Sequence, residues 1–380
     1  MKLKLSSFCL LILSSIMSSS YDLSSINTAY WYNQDRGLNI KYRVVQKDEL
    51  TKVFVAIEDA GLQGGFEWSL QDDYEDENHV PLDEVLIDTL QGGYQKVLQL
   101  LFERNEKKVL VITYRWNELV WHYPISLMKG RSLFQDFYPA NETGLPLLDP
   151  FLSESIRLLS FDGEQIMFHG FQYQENFPAA DPPMGLVQIV SPSLEVDQAY
   201  RNVNNIDPIN YHFYLLQTDT LSTDAEAVIA SPEHYPKIRR IEEMVFPLRY
   251  ITKQSEYSRI LGAQNNKQAF DQFWLDLYKG NQRIARDKIK AYYQRVVTSN
   301  ELFTDYKQGW KTDRGMIHIM FGPPNEVYRT GSKEEWVYGN GINFTFRIIS
   351  NLFSPQLYVL IRDKTYEDVW YEAVKQFRNR

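Results

Sequence analysis

Gly309–Arg329 reads GWKTDRGMIHIMFGPPNEVYR, the most patterned part of the 380-residue chain. Gly309 permits a backbone conformation closed to other residues, just ahead of Trp310. Trp310 offers a large apolar body and one N–H, so it is expected to anchor a turn to the core. Thr312 and Asp313 are residue types that accept backbone N–H groups in turns, and Arg314 carries a planar donor fork suited to carbonyls or a carboxylate. Gly315 then releases the chain into Met316–Phe321. There Ile317 and Ile319 alternate with Met316, His318 and Met320, which predicts a strand stopped by Gly322-Pro323-Pro324. Asn325 and Glu326 follow as residues that cap or bind. Two readings stay open for Trp310, Asp313, Arg314 and Glu326. They fix a turn, with Asp313→Asn expected to be mild because it keeps an acceptor oxygen. Alternatively they are a functional cluster at the mouth of a cleft, where carboxylates and Arg bind substrate or share acid–base work. No nucleophile is paired with a base within the segment, and no catalytic residue is assigned.

Upstream the pattern is helical. In Asn266–Tyr278, NKQAFDQFWLDLY, the residues Ala269, Phe270, Phe273, Trp274 and Leu277 recur at three- and four-residue spacing and build one apolar stripe. Gln282–Phe303 does the same through Ile284, Ile289, Tyr292, Tyr293 and Val296. The basic residues Arg283, Arg286, Lys288, Lys290 and Arg295 on that segment read as a solvated face. A last helix is expected over YEDVWYEAVKQF, Tyr366–Phe377.

FPLRYIT, SEYSRIL, AFDQFWLDL, YYQRVVTSNELF, GWKTDRG and IHIMFGPPNEV occur in that order between Phe246 and Val327. Together they resemble the GWxTD domain family, mostly secreted bacterial proteins common in Bacteroidetes. The chain departs from the family at YKGNQRIARD, where members often carry an Asp-Pro-containing connection. The resemblance implies an extracytoplasmic location and N-terminal β-sandwich domains. It brings no reaction and no catalytic residues.

The N-terminal half reads as β structure. NIKYRVVQ, KVFVAIE, GGFEWSLQ, YQKVLQLLFE, KKVLVITYRW and LVWHYPI are short runs rich in alternating and β-branched residues, separated by turn residues. A second block carries SIRLLSF, QIMFHGFQY, GLVQIV and HFYLLQT, with the proline-rich loop ENFPAADPPMG. The expected architecture is multi-domain β plus α+β. A signal peptide (1–20) precedes a β-sandwich-like domain (21–128), a linker or crossing (129–152), a second β-rich domain (153–235) and a C-terminal α+β GWxTD-type domain (236–380).

A net charge of -9 argues against a general nucleic-acid binder, which needs a phosphate-neutralising surface. MKLKLSSFCLLILSSIMSSS has a lysine-bearing start, a short apolar run and small residues at its end, the build of a secretory signal peptide. No later segment has the roughly 18 apolar residues of a membrane span. Cys9 is the one cysteine, so the mature chain is expected to hold neither disulfides nor thiolate metal sites. The six histidines form no local pair, and HExxH, GxSxG and the P-loop pattern are missing. In DDYEDENHVPLDE, Asp72, Asp76 and Asp83 are spaced roughly like calcium ligands but lack the turn glycine, and a solvated loop is favoured. Trp31, Trp68, Trp116 and Trp121 read as core residues before they read as a sugar-stacking platform. No cofactor and no metal are expected. The functional expectation is an exported protein, periplasmic or on the outer surface, that binds or scaffolds envelope protein or polysaccharide. The alternative is a hydrolase of envelope or exported polymers.

Overall fold

The structure, a computed structural model, describes residues 24–33, 38–59, 65–76, 78–82, 86–92, 95–116, 118–129, 133–175, 177–185, 195–222, 225–339, 341–349, 354 and 356–378. The signal-peptide segment, Cys9 and Asp83 lie outside them, as does most of GLVQIV.

The first β-rich unit runs through β1 (Leu38–Lys47), β2 (Leu50–Asp59), β3 (Gly65–Gln71), β4 (Val80–Pro81), β5 (Leu86–Gly92), β6 (Gln95–Glu103), β7 (Val109–Trp116) and β8 (Leu119–Ser126). They form two antiparallel sheets, ordered β1-β2-β6-β5 and β4-β3-β7-β8. One core draws on both sheets, through Val44, Val53, Val55 and Leu100 from the first and Leu110, Ile112, Tyr114 and Ile125 from the second. Val53, Phe54 and Val55 are all fully buried although neighbours on a strand face opposite ways. The other face of this sheet is covered too. Val45, Phe54 and Ala56 pack on Tyr138, Leu159 and Phe161 of the next unit. Trp68 and Trp121 pack on the first core as expected, while the side chain of Trp116 lies outside the described set.

The second unit holds β9 (Phe137–Ala140), β10 (Phe151–Leu152), β11 (Arg157–Ser160), β12 (Gln165–Ile166), β13 (Phe168–Gln174), β14 (Gln198–Val203), β15 (His212–Gln217) and β16 (Glu226–Ala230). Its sheets are ordered β12-β11-β9 and β10-β16-β15-β13-β14. The stretch 129–152, expected as a linker, supplies β9 and β10. Pro139 fits because β9 pairs with β11 on one side and meets only the short return 145–147 on the other, where Pro139 O accepts from Leu147 N at 2.9 Å, so its missing donor costs no ladder bond to β11.

The C-terminal part contains α1 (Ile241–Val245), α2 (Gln254–Leu261), α3 (Asn266–Leu277), α4 (Gln282–Phe303), α5 (Asp313–Phe321), β17 (Glu326–Arg329), β18 (Lys333–Val337), β19 (Asn343–Ile349), β20 (Leu357–Leu360) and α6 (Glu367–Arg378). The four strands make one antiparallel sheet in sequence order. Asn265 caps α3 by accepting from Gln268 N at 3.0 Å, and Asn281 caps α4 by accepting from Ile284 N at 3.2 Å. Phe270, Phe273 and Trp274 of α3 meet Tyr292, Tyr293 and Val296 of α4 in a core that also takes Trp336, Phe344 and Phe346 from the sheet. Each fully buried aromatic of this kind contributes on the order of 2–3 kcal/mol. No helix among the described residues is long and apolar enough to cross a membrane.

Two expectations are corrected here. Met316–Phe321 is not a strand but the body of α5. Met316, Ile317, His318, Ile319 and Met320 are all at most 2% exposed, so the helix is buried all round and shows no polar stripe to set its period. Arg295 does not sit on a solvated face. It turns inward, its Nη1 donating to the carbonyls of Ile319 and Met320 at 3.0 and 3.1 Å, and so caps the C-terminus of α5. Arg283, Arg286 and Lys290 are exposed as expected.

The segment before β1 crosses to the C-terminal sheet. Asn27 Oδ1 accepts from Val327 N at 3.0 Å, and Thr28 N donates to Val327 O at 2.8 Å. Tyr32 enters the C-terminal core. Meanwhile Tyr30 Oη and Trp31 Nε1 both donate to His122 O on β8, so this segment ties β17 to the first unit.

Candidate functional site

Gly309–Lys311 forms a single 3-10 turn and Thr312 caps the helix that follows. Thr312 Oγ1 donates to Gly309 O at 2.8 Å and accepts from Gly315 N at 3.0 Å. Both glycines are set by close approach. A Cβ on Gly309 would stand 2.0 Å from Ser299 O on α4, and one on Gly315 would stand 1.9 Å from Gly309 O. Trp310 is 6% exposed. Its backbone N donates to Asn300 Oδ1 (3.1 Å), its carbonyl accepts from Tyr250 Oη (3.0 Å) and its Nε1 donates to Gln308 Oε1 (2.7 Å).

Asp313 and Arg314 diverge. Asp313 Oδ2 accepts from Leu360 N at 2.8 Å, and Oδ1 accepts from Arg362 Nη2 at 2.5 Å. Arg362 Nη1 continues to the carbonyls of Asp181 and Pro182 in the proline-rich loop of the second unit. Arg314 points to the N-terminal segment. Its guanidinium lies 3.4 Å from the ring centre of Tyr358, donates to Tyr32 Oη at 3.1 Å, and stands 3.6 Å from Glu334 Oε1. Glu326 shares neither neighbourhood; it is exposed and accepts from Tyr328 Oη at 2.9 Å. The four residues therefore do not gather around one point. Trp310, Asp313 and Arg314 are packing and bonding centres, and Glu326 is a surface residue at the start of β17.

The turn stands between two cavities. One, of about 560 Å³, lies between the second unit and the C-terminal domain and is walled by Phe177, Pro178, Tyr235, Ile238, Phe246 and Trp310. Two polar pairs in its lining are closed on one another. Lys311 Nζ holds both oxygens of Glu175, at 2.9 and 2.8 Å. Burial pushes the Glu175 carboxyl up, and the Lys311 ammonium opposes that shift. Glu243 accepts from Tyr211 Oη at 2.7 Å and lies 2.9 Å from His234 Nε2. Phe246 stays 47% exposed at this cavity. The other cavity, of about 330 Å³, lies between the first unit and the C-terminal domain, and Arg314, Arg329 and Asp305 are among its lining. Burial raises the Asp305 carboxyl to about 6, against the Lys307 ammonium.

His318 faces Ser299 Oγ at 3.1 Å through Nδ1, inside the contact of α4 with α5. Burial, helped by the Arg295 charge, lowers it to about 3, so it stays neutral. Ser299 is fully buried. In the acidic stretch, Asp76 accepts from the backbone N–H groups of Asp72 and Asn78, closing the loop on itself. Among the described residues no three His, Cys, Asp or Glu side chains gather as a metal site. Sequence reasoning did not find Asp305, Arg329 or the Lys311–Glu175 pair, because each acquires its role from elements distant along the chain.

These features define a class: a β-rich protein of several sheets closing on a C-terminal α+β domain built around one glycine-pinned turn. Residues 212–379 match the family model of the GWxTD domain. The match opens at the first residue of β15, so it takes in the last two strands of the second unit as well as the C-terminal domain. No curated protein and no solved structure matches the chain.

Proposed function

We propose that the protein works by binding, as an exported cell-envelope binding or scaffolding protein made of two β-sandwich-like units and a GWxTD domain. Its partner is an envelope protein, a segment of which seats apolar side chains in the cavity beside Trp310. The observation that carries this reading is the combination in that cavity of apolar and aromatic walls with the closed polar pairs Glu175–Lys311 and Glu243–Tyr211. Such a site rewards apolar contact, which favours a protein segment over a polysaccharide. The lysine-bearing apolar start of the chain supports export, to the periplasm or the outer surface.

Phe246→Arg tests this. The residue is half exposed, so the fold should keep its wild-type unfolding temperature. Capture of envelope proteins by the tagged variant should fall about tenfold or more, as for an aromatic anchor at a contact. Equal capture by wild type and variant, measured by quantitative mass spectrometry, would overturn the reading. The hydrolase alternative has one observation on its side: Asp305 carries a carboxyl at about 6 in the second cavity, a range suited to a general acid or base. On that reading Asp305→Asn would abolish polymer turnover.

A further inference from the structure

The cavity between the first unit and the C-terminal domain contains a guanidinium that forms no ion pair with any carboxylate among the described residues. Arg329 is 6% exposed. Its guanidinium lies 5.0 Å from the ring centre of Tyr74, 5.5 Å from that of Tyr358 and 5.7 Å from that of Trp31. Its Nη2 donates to Gln356 Oε1 at 2.5 Å, and its Nε meets no acceptor. Among the described residues no carboxylate forms an ion pair with it, whereas Arg314 stands 3.6 Å from Glu334. Glu334 is fully buried, and its oxygens also accept from Trp336 Nε1 and Tyr32 Oη, each at 2.8 Å. The Glu334 charge reaches Arg329 without pairing with it, and both guanidinium groups line the cavity. A buried charge lacking a partner is costly, and a guanidinium fork matches an oxyanion in shape and charge.

We propose that this cavity is an anion site, which takes a carboxylate or phosphate oxyanion against Arg329 and Arg314. The rings of Tyr358, Tyr74 and Trp31 hold the Arg329 plane in place, so little side-chain freedom is lost on binding. Across the cavity Lys41 and Arg43 are each paired at 2.9 Å, to Asp149 and Glu226, and add no free charge. Glu301 and Asp305 also line the cavity, and their negative charge confines an anion to the arginine end. This site is separate from the cavity beside Trp310 and stands whether or not that cavity binds an envelope protein.

The test uses the full mature chain with inorganic phosphate and with acetate, against chloride at matched ionic strength. Unfolding temperature and Trp fluorescence are followed, since Trp31 adjoins Arg329. A saturable response to phosphate alone assigns a phosphate group, and a response to acetate assigns a carboxylate. Equal responses to all three salts overturn the proposal. Arg329→Gln should remove the response but disturbs a buried residue. Gln356→Glu is the sharper variant, because it places a carboxylate where the Gln356 amide now meets Arg329. It should raise the unfolding temperature without added anion and weaken anion binding about tenfold or more. A Gln356→Glu protein that responds to phosphate or acetate as the wild type does would overturn the assignment.

Discussion

Asp305 follows the end of α4, and its Oδ1 accepts from Lys307 N at 3.1 Å. In an unfolded chain an aspartate titrates near 3.9. Here burial raises the carboxyl to about 6, so the folded state holds the proton more tightly than the unfolded state. The resulting stabilisation is complete below about pH 4 and is lost as pH rises through about 6. Asp305→Asn cannot ionise and keeps the acceptor oxygen. It should therefore be more stable than wild type at pH 8, by on the order of 2 kcal/mol, and should match it near pH 4. Denaturant unfolding at the two pH values checks this, and a difference independent of pH would contradict it. Nothing in Asp305's sequence neighbourhood marks it, because desolvation comes from the units packed over it. Trp310 was legible by contrast, since a large aromatic between a glycine and a capping threonine has an anchoring role before any tertiary contact is known.

At the scale of elements, α3, α4 and α6 were legible because each presents one apolar stripe and one polar face. Helix α5 was not. Its residues are buried on every side, and a short six-residue run, apolar but for His318, fits a strand as readily as a helix. Gly315 reinforced the error, since a glycine reads as a break, yet it lies inside α5 where the helix meets the Gly309 carbonyl. This inverts the usual effect of a substitution. Alanine in place of glycine inside a helix normally adds about 1 kcal/mol of stability. Gly315→Ala would set its Cβ 1.9 Å from a backbone oxygen. It should destabilise the protein by about 2 kcal/mol or more, the range of an overpacked core. A melting temperature at or above wild type would show that α5 and the Gly309 turn do not touch in this way.

At the scale of the whole molecule, the signature turn joins units that the sequence presents as separate. The proline-rich loop reads as a connection, but it clasps the C-terminal domain. Ala180 N donates to Lys311 O at 2.9 Å, Asp363 N donates to Pro183 O at 3.2 Å, and Arg362 bridges Asp313 to Asp181 and Pro182. The N-terminal segment makes the complementary tie, from β17 to β8. Pairing across some 130 to 300 residues leaves no periodicity in either partner, so neither tie was legible. Asp313 is the residue on which the central claim rests, that the signature turn holds the units together and leaves binding to the cavity walls. Both its oxygens accept, from Leu360 N and from Arg362, so Asn would turn an amide N–H toward a donor. The mild effect expected of Asp313→Asn from sequence therefore gives way to a loss of about 1.5–3 kcal/mol, the range for a buried bond to a charged group. The decisive measurement is the equilibrium unfolding of Asp313→Asn, with envelope-protein capture read on the same preparation. The account predicts that stability falls by that amount while the folded fraction captures as wild type does. Wild-type stability with capture abolished would contradict it and make Asp313 part of the functional site itself.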